Sequence, residues 1–416
     1  DTKFSGYHGY WPIYSTVVDK RFGTDEELRT MLSTAHEGEM NVILDYVANH
    51  LHINSPVLQE HPDWTTELYL PDGRKNIGQW DGETRLTTWF DEHIPTLDLE
   101  REEVCDPMTD SALHWVRNFD FDGYRHDACK HIPLNYWRML THKMKSEMPD
   151  RNLWMIGETY GDTELIGSYV KTGMIDSQFD FNLYHNSRDV IADPNQSMKL
   201  IAATVEESER AYGSHHTMGN ITGNHDKPRF ISLAGGDMAL GWYDDKAEGW
   251  HRDVKVGDMD KGHAGLQLLK AIISTVPGVP CVYQGDEYGV PGANDPDNRD
   301  MMTFECENDY QVREFEQTKA LFHARRESMP LNYGDLRTLY VDDQAWVFLR
   351  HYMGDWTIVA LNVRTDVKTI EVQLPAFAKC GNLETAVATE GADVRCLGDG
   401  KLEVTLPAYG YIIANK

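Results

Sequence analysis

The stretch ITGNHDKPRF, residues 221–230, sets the problem. It completes an apolar, strand-like run, HTMGNITGNHD (216–226), that ends in His225 and Asp226. The same arrangement recurs along the chain. Asp45, Asn49 and His50 follow NVIL, Arg125 and Asp127 end FDGYRHD, Glu158 ends LWMIGE, and Asp286 and Glu287 follow PCVYQG. One acid after one strand is often only a helix cap. Acids after five successive strands point to one functional face.

Amphipathic segments separate these strands. TDEELRTMLSTAHEGE (24–39) spaces Leu28, Met31, Leu32 and Ala35 as a helix does, with Thr24 as its N-cap. Further helices are predicted at 112–119, 135–148, 197–212, 264–276 and 314–327, and strands at 41–47, 121–128, 153–160 and 279–287. Alternation of this kind predicts parallel strands with crossover helices. In a (β/α)₈ barrel the C-terminal ends of the strands carry the active site. Residues 50–104, rich in Asp, Pro and Trp, lack a long period and read as an excursion from the main fold. Near Met329-Pro330 the pattern changes. AWVFLRH, WTIVALNV, KTIEVQL, KLEVTL and GYIIANK read as short period-2 strands of an antiparallel sandwich. The expected division is 1–49 and 105–328 for the barrel, 50–104 for the excursion and 329–416 for the sandwich.

The chain has 416 residues, 41% hydrophobic, enough for a barrel and a smaller module. No run of about 18 apolar residues marks a membrane span. A net charge of −28 repels phosphates and anionic lipid, which disfavours nucleic acid and membrane as partners and suits a neutral substrate. Eleven Trp and 20 Tyr supply faces for sugar rings, though aromatic side chains also fill cores. Six cysteines show no metal spacing; Cys380 and Cys396 are placed to pair within the tail.

The strand-end residues suit glycoside cleavage. A retaining enzyme needs a nucleophilic carboxylate and a protonated carboxyl roughly 5 Å apart. Asp127 and Glu158 end neighbouring strands. Arg125, two residues before Asp127 and so on the same strand face, would keep it ionised. Asp226 would stabilise positive charge at the anomeric carbon. Gly-Asn-His-Asp is also a signature of metal-dependent phosphoesterases. That reading needs Asp-x-His and Gly-Asp-x-x-Asp upstream. Asp91-Glu92-His93 matches the first by spacing alone, and Gly257-Asp258-Met259-Asp260 has the wrong spacing and lies downstream.

Taken in order, these motifs resemble the α-amylase family of glycoside hydrolases, family 13. YHGYW (7–11), DYVANH (45–50), IPTLDLE (94–100), GYRHDACKHI (123–132), GETY (157–160), TGNHDKPRF (222–230) and YQGDEYGVPGANDPDNR (283–299) each resemble a family block. The resemblance implies a (β/α)₈ barrel, a domain B inserted after strand 3 and a C-terminal β-sandwich. It implies Asp127 as nucleophile, Glu158 as acid/base and Asp226 as stabiliser. Arg125 would orient Asp127, His50 and His225 would bind hydroxyls, and Tyr10 would stack on the same sugar. Lys130 and His131 would line the leaving-group side, and Asp295 and Arg299 the non-reducing side. The plain alternatives are a capped strand end for Lys130 and His131, packing for Trp11, and a hydrogen bond tying domain B to the barrel for Asn49.

A calcium site would use Asn49, the His131 carbonyl and Asp91. Gly223 stands where the family more often has a polar residue, and Thr159-Tyr160 leave the leaving-group subsite unassigned. The family's first barrel strand and most of its second are absent before YHGYW. The expectation is a longer protein, or a companion polypeptide that supplies those strands. The implied activity is retaining cleavage of α-1,4 bonds in starch or maltooligosaccharides, which leans towards a periplasmic or extracellular setting. Alternatives within the family are a cyclomaltodextrinase or neopullulanase-like enzyme, an α-1,6-glucosidase and a transglycosylase. Lys130-His131 favours the α-amylase side. Outside enzymes, the alternative is an inactive carbohydrate-binding or partner subunit.

Overall fold

Thr24 starts the first helix. Its hydroxyl accepts from Glu27 N–H while the Glu27 carboxylate accepts from Thr24 N–H, a complete capping box. Helix α1 (Asp25–Glu37) leads into strand β1 (Ile43–Tyr46). The computed structural model describes residues 6–241 and 247–416; residues 1–5, the start of the expected first segment, lie outside it. A first unit runs to Phe179 and a second from Asp180 to Lys416.

In the first unit, residues 47–101 hold one short helix, α2 (Pro56–Glu60), two single 3₁₀ turns and isolated bridges such as His50 with Thr96. Helix α3 (Glu102–Asn118) starts ten residues before the expected 112: its first turns bury Val104, Cys105 and Met108 on one face, a short stripe masked by the acids around it and by Pro107 inside the helix. Then come β2 (Gly123–His126), α4 (Leu134–Glu147), β3 (Trp154–Gly157), α5 (Thr163–Ser168) and β4 (Ser177–Gln178). The four strands form one parallel sheet in chain order, with Asp45 opposite Arg125 and His126 opposite Gly157. Its core gathers Trp115, Val116, Tyr124, Trp137 and Leu140, all buried. Gly123, at φ +148, lies so close to the next strand that a Cβ would sit 1.8 Å from the Trp154 carbonyl oxygen. Only glycine allows that approach.

The second unit opens with α6 (Phe181–Ala192), capped by Asp180, and α7 (Met198–Tyr212). Strand β5 (Gly219–Ile221) runs parallel to β6 (Val279–Cys281). Between them lie α8 (Phe230–Ala234), α9 (Glu248–His251) and α10 (Met259–Thr275); α11 (Asp309–Glu327) and α12 (Met329–Tyr333) follow. Helices α10 and α11 begin five residues earlier than the apolar pattern predicts, at the caps Asp258 and Asn308.

After α12 every element is a strand: β7 (Asp335–Val341), β8 (Ala345–Tyr352), β9 (Asp355–Asn362), β10 (Lys368–Gln373), β11 (Glu384–Ala388), β12 (Asp393–Gly398), β13 (Lys401–Leu406) and β14 (Tyr411–Asn415). They form antiparallel sheets ordered β11-β14-β9-β8-β7 and β10-β13-β12. Strands β10 and β13 alternate in burial, as the period-2 reading expects. Strands β8 and β9 depart from it and are buried on both faces. Trp346, Phe348, Val359 and Leu361 face the helices, while Val347, Leu349, Ile358 and Ala360 face the second sheet. Cys380 and Cys396 form a disulfide. Among the described residues no helix is long and apolar enough to cross a membrane.

Candidate active site

The sheet ladder continues one residue past β2 and β3. Asp127 N–H donates to the Tyr46 carbonyl, and Glu158 N–H to that of His126, each at 3.0 Å. Both carboxylates therefore stand on backbone fixed by the sheet. Behind Glu158, a Cβ on Gly157 would lie 2.3 Å from Gln178 Nε2 and 2.9 Å from Cys129 Sγ, so the site is packed from beneath. After Asp127 the chain leaves the strand through Ala128, at φ +47, a left-handed backbone that costs an L-residue about 1 kcal/mol.

Arg125 gathers the charged groups. Its Nη1 lies 2.7 Å from Asp127 Oδ1 and 2.8 Å from Asp45 Oδ1, and its Nη2 lies 2.8 Å from Glu158 Oε2. Burial opposes the Arg125 cation, but the carboxylates of Glu158, Asp45 and Asp127 more than offset it and push its pKa up. Tyr10 Oη donates to Asp45 Oδ2 at 2.6 Å, and the Arg125 guanidinium lies 5.6 Å from the centre of the Tyr10 ring. Sequence reading expected Arg125 on Asp127. It did not foresee the contact with Glu158, and it placed Asp45 on the strand-end face without giving it a role. The pairing of Asp45 with Tyr10 and Arg125 had no local signal beyond that place after NVIL.

His50 is 2% exposed and held by the protein. Its Nε2–H donates to the Tyr10 carbonyl at 2.9 Å, and its Nδ1 accepts from Asn49 Nδ2 at 3.3 Å. Burial pushes its pKa down to about 4, so the ring is neutral. As placed, it supports Tyr10. Trp11 packs edge-on against His8 and His93. Asn49 ties the inserted segment to the sheet: its Nδ2 donates to Thr96 Oγ1, and its carbonyl accepts from Leu97 N–H.

Lys130 and His131 sit in a 3₁₀ turn after β2. Lys130 Nζ lies 2.6 Å from Asp81 Oδ1, and His131 Nδ1–H donates to the Arg85 carbonyl at 2.7 Å. The Arg85 guanidinium donates back to the Lys130 carbonyl and to Tyr169 Oη. Trp80 and Phe90 lie edge-on against His131, and sequence reading had assigned neither. Their signal was only the Trp-rich character of 50–104.

The expected calcium residues can be tested against these positions. Asn49 Oδ1 is buried without a hydrogen-bond partner, as a cation ligand would be. Asp91 is half exposed, and its carboxylate accepts from Glu92 N–H. The His131 turn is held by Arg85, a cation. Calcium takes six to eight oxygens, usually including carboxylates. Among the described residues no group of three His, Cys, Asp or Glu is arranged to hold a metal ion. The three residues do not make up such a set.

The second unit carries the other expected residues. His225 Nε2 lies 3.2 Å from Asp226 Oδ2, and Arg299 Nη2 lies 3.3 Å from Asp226 Oδ1. Arg299 Nε lies 2.6 Å from Asp295 Oδ1. Asp226 N–H donates to Asn224 Oδ1, which bends the chain into a turn just past β5. Asp286 is a different kind of acid. It is 1% exposed, 3.1 Å from Arg229 and hydrogen-bonded by Thr222, so it braces the loops from within. A Cβ on Gly223 would meet only Asp286 Oδ2, at 3.6 Å, an ordinary contact.

A family model described as the alpha amylase catalytic domain matches residues 2–372. A cyclomaltodextrinase of Geobacillus thermopakistaniensis is 26% identical over 413 residues, covering 95% of this chain and 63% of that protein. The chain thus spans less than two thirds of that relative's length. The crystal structure of an Anoxybacillus alpha-amylase matches with a TM-score of 0.81 at 26% identity, over 100% of this chain and 84% of its own. That of Geobacillus thermoleovorans alpha-amylase, complexed with acarbose, matches with a TM-score of 0.80 at 27% identity, over 99% and 84%.

Proposed function

The chain belongs to the alpha-amylase catalytic-domain family, whose fold is the (β/α)₈ barrel with a C-terminal β-sandwich, and from that premise we propose that it is a retaining α-glucan hydrolase. Its substrates are α-1,4-linked starch chains or maltooligosaccharides. The observation that carries this reading is the Arg125 fork between Asp127 and Glu158. One guanidinium bridging two carboxyl groups on adjacent strands keeps them within the short spacing of a retaining pair, about 5 Å.

The chemistry follows from that pair. Glu158, protonated, gives its proton to the glycosidic oxygen as the bond to the anomeric carbon breaks. Asp127 attacks that carbon from the opposite face, forming a covalent glycosyl ester. The Glu158 carboxylate then takes a proton from water, which attacks the same carbon and releases Asp127. Two inversions give net retention. Arg125 holds the nucleophile in line, Tyr10 is the stacking face, and Asp226 stabilises the oxocarbenium-like transition state. His225 binds hydroxyls of the sugar in the cleaved subsite, and Asp295 and Arg299 hold the non-reducing side. No step passes through a metal, and no companion polypeptide is proposed.

Proton NMR of maltoheptaose digestion tests this reading. Fresh α-anomer that later mutarotates is expected; fresh β-anomer overturns the double displacement. Asp127→Asn and Glu158→Gln should each lower turnover by a factor on the order of 10³ or more. The similarity to a cyclomaltodextrinase favours one second reading, ring opening of cyclic glucans. Comparing rates on a cyclodextrin and on maltoheptaose separates the two.

A further inference from the structure

Arg85, on the inserted segment, joins three parts of the first unit. Its Nη1 donates to the Lys130 carbonyl, in the turn after β2, and also to the hydroxyl of Tyr169, which follows α5. Tyr169 is fully buried, and its own Oη–H donates to the same Lys130 carbonyl at 3.0 Å. A carbonyl oxygen has two lone pairs, and both are spent here. In the other direction, His131 Nδ1–H donates to the Arg85 carbonyl at 2.7 Å. Burial pushes the His131 pKa down to about 4, so its ring is neutral and does not repel the guanidinium. The inserted segment and the turn thus grip each other through bonds that run both ways.

The turn that Arg85 grips is the one by which the chain leaves Asp127. Ala128, at φ +47, directs its N–H at Glu158 Oε2, 3.4 Å away, the oxygen that also faces Arg125 Nη2. Cys129 Sγ accepts from Gln178 Nε2 at 3.3 Å and packs beneath Gly157. Lys130 comes next. A left-handed alanine persists only where its surroundings fix it. Gln178 fixes this turn from the sheet side, and Arg85 fixes it from the inserted segment.

The expected calcium residues do not supply a metal's ligand set. Asn49 offers one lone oxygen, Oδ1, and its Nδ2 is committed to Thr96 and His50, whereas calcium takes six to eight oxygens. A guanidinium carries its charge on a covalent tether and presents fixed N–H donors to oxygens on two sides. We infer that Arg85 is the cation of this junction: in place of a metal ion, it holds the turn after β2 and so positions Asp127 and the Ala128 N–H that faces Glu158. Arg85 is a positioning residue, acting through the turn. The positioning half of the inference rests on the glucan-hydrolase reading; the joining half does not.

The test has two arms. In melting followed by circular dichroism, wild-type protein should show the same midpoint in EDTA and in calcium chloride, and Arg85→Ala a lower midpoint in both. A wild-type midpoint that falls in EDTA and returns with calcium overturns the inference. In kinetics on maltoheptaose, Arg85→Ala should lose kcat by a factor on the order of 10² with KM nearly unchanged, because the reacting groups shift while the sugar contacts stay. Millimolar guanidinium should restore much of that loss by filling the place of the missing side chain, and sodium chloride at equal ionic strength should not. A loss that guanidinium does not restore makes Arg85 merely structural, and a loss carried by KM makes it a binding residue; both overturn the inference. Should Arg85→Ala not fold, Arg85→Lys keeps a charge without the fork and should show the same kcat loss in smaller measure. Wild-type kcat and midpoint in Arg85→Lys overturn the inference. Wild-type protein that cleaves no glucan brings down the hydrolase reading and the kinetic arm with it, and the melting arm still decides whether Arg85 or a metal joins the segments.

Discussion

Arg125 Nη2 lies 2.8 Å from Glu158 Oε2, on the same guanidinium whose Nη1 holds Asp127. The fork therefore sets the geometry of the proposed acid/base as well as that of the proposed nucleophile. Lysine is a single point charge and cannot reproduce a fork. Arg125→Lys should lower kcat by a factor on the order of 10² to 10³ with a small change in KM, because the misplacement is felt in the transition state. The charge is kept but a forked hydrogen bond to a buried carboxylate is lost, so urea unfolding should show a loss of about 1–3 kcal/mol. Wild-type kcat in Arg125→Lys would remove the fork from the mechanism.

Asp45 links Tyr10 to Arg125. Asp45→Asn keeps an acceptor for the Tyr10 hydroxyl and removes the charge facing Arg125. Its side chain is 42% exposed, so water screens much of that charge and the effect on stability should be within about 1 kcal/mol. Turnover should fall by roughly tenfold, because Arg125 is then shared between Asp127 and Glu158 alone. Circular dichroism melting with parallel kinetics checks both halves. A large drop in melting temperature with intact kcat would make Asp45 a folding residue and not part of the site.

Much of this was legible in the sequence, and the reason is period. NVIL, LWMI and the runs in β8 and β9 are short apolar blocks bounded by polar residues, so their strands stand out. Ser177–Gln178 is a two-residue strand and leaves no pattern to read. Strands β11 and β12 expose most of their residues and were missed for the same reason. Arg125, Asp127 and Glu158 could be read together because strand ends share a face. The links from Asp45 to Tyr10, 35 residues away, and from His131 to Arg85, 46 away, depend on how the inserted segment returns to the sheet. No local spacing encodes that.

The disulfide between Cys380 and Cys396 closes a loop with a sequence separation of 16. A closed loop near 15 residues restricts the unfolded chain by about 3 kcal/mol. The bridge ties β12 to the segment before β11, and both of those strands are largely exposed. The Cys380→Ser, Cys396→Ser double variant should thus unfold at lower urea by up to that amount, with turnover on maltoheptaose unchanged. Adding dithiothreitol to the wild type should reproduce the shift, and an unmoved midpoint would show that the bridge adds nothing to stability.

Glu314 on α11 is fully buried and accepts from His263 Nδ1 and Lys270 Nζ on α10; Lys270 also donates to Thr318. Burial raises its pKa, but Lys270 and His263 outweigh burial, so the net shift is downward. A carboxyl with a depressed folded pKa is ionised in the native state where the unfolded chain still binds a proton. Stability then rises with pH across that window. The contribution is present above the unfolded value, about 4.3, and is lost as pH falls through the folded one. Glu314→Gln leaves the Lys270 cation buried without its partner and should cost about 3–5 kcal/mol at pH 7. The gap between the two proteins should narrow as pH falls below about 4, because the wild type loses what the variant never had. Adding Lys270→Met to Glu314→Gln removes the stranded cation and should recover most of the loss. Urea midpoints for the three proteins at pH 7 and near pH 3.5 measure all of this, and a gap that stays constant with pH would show that Glu314 is not the group that titrates.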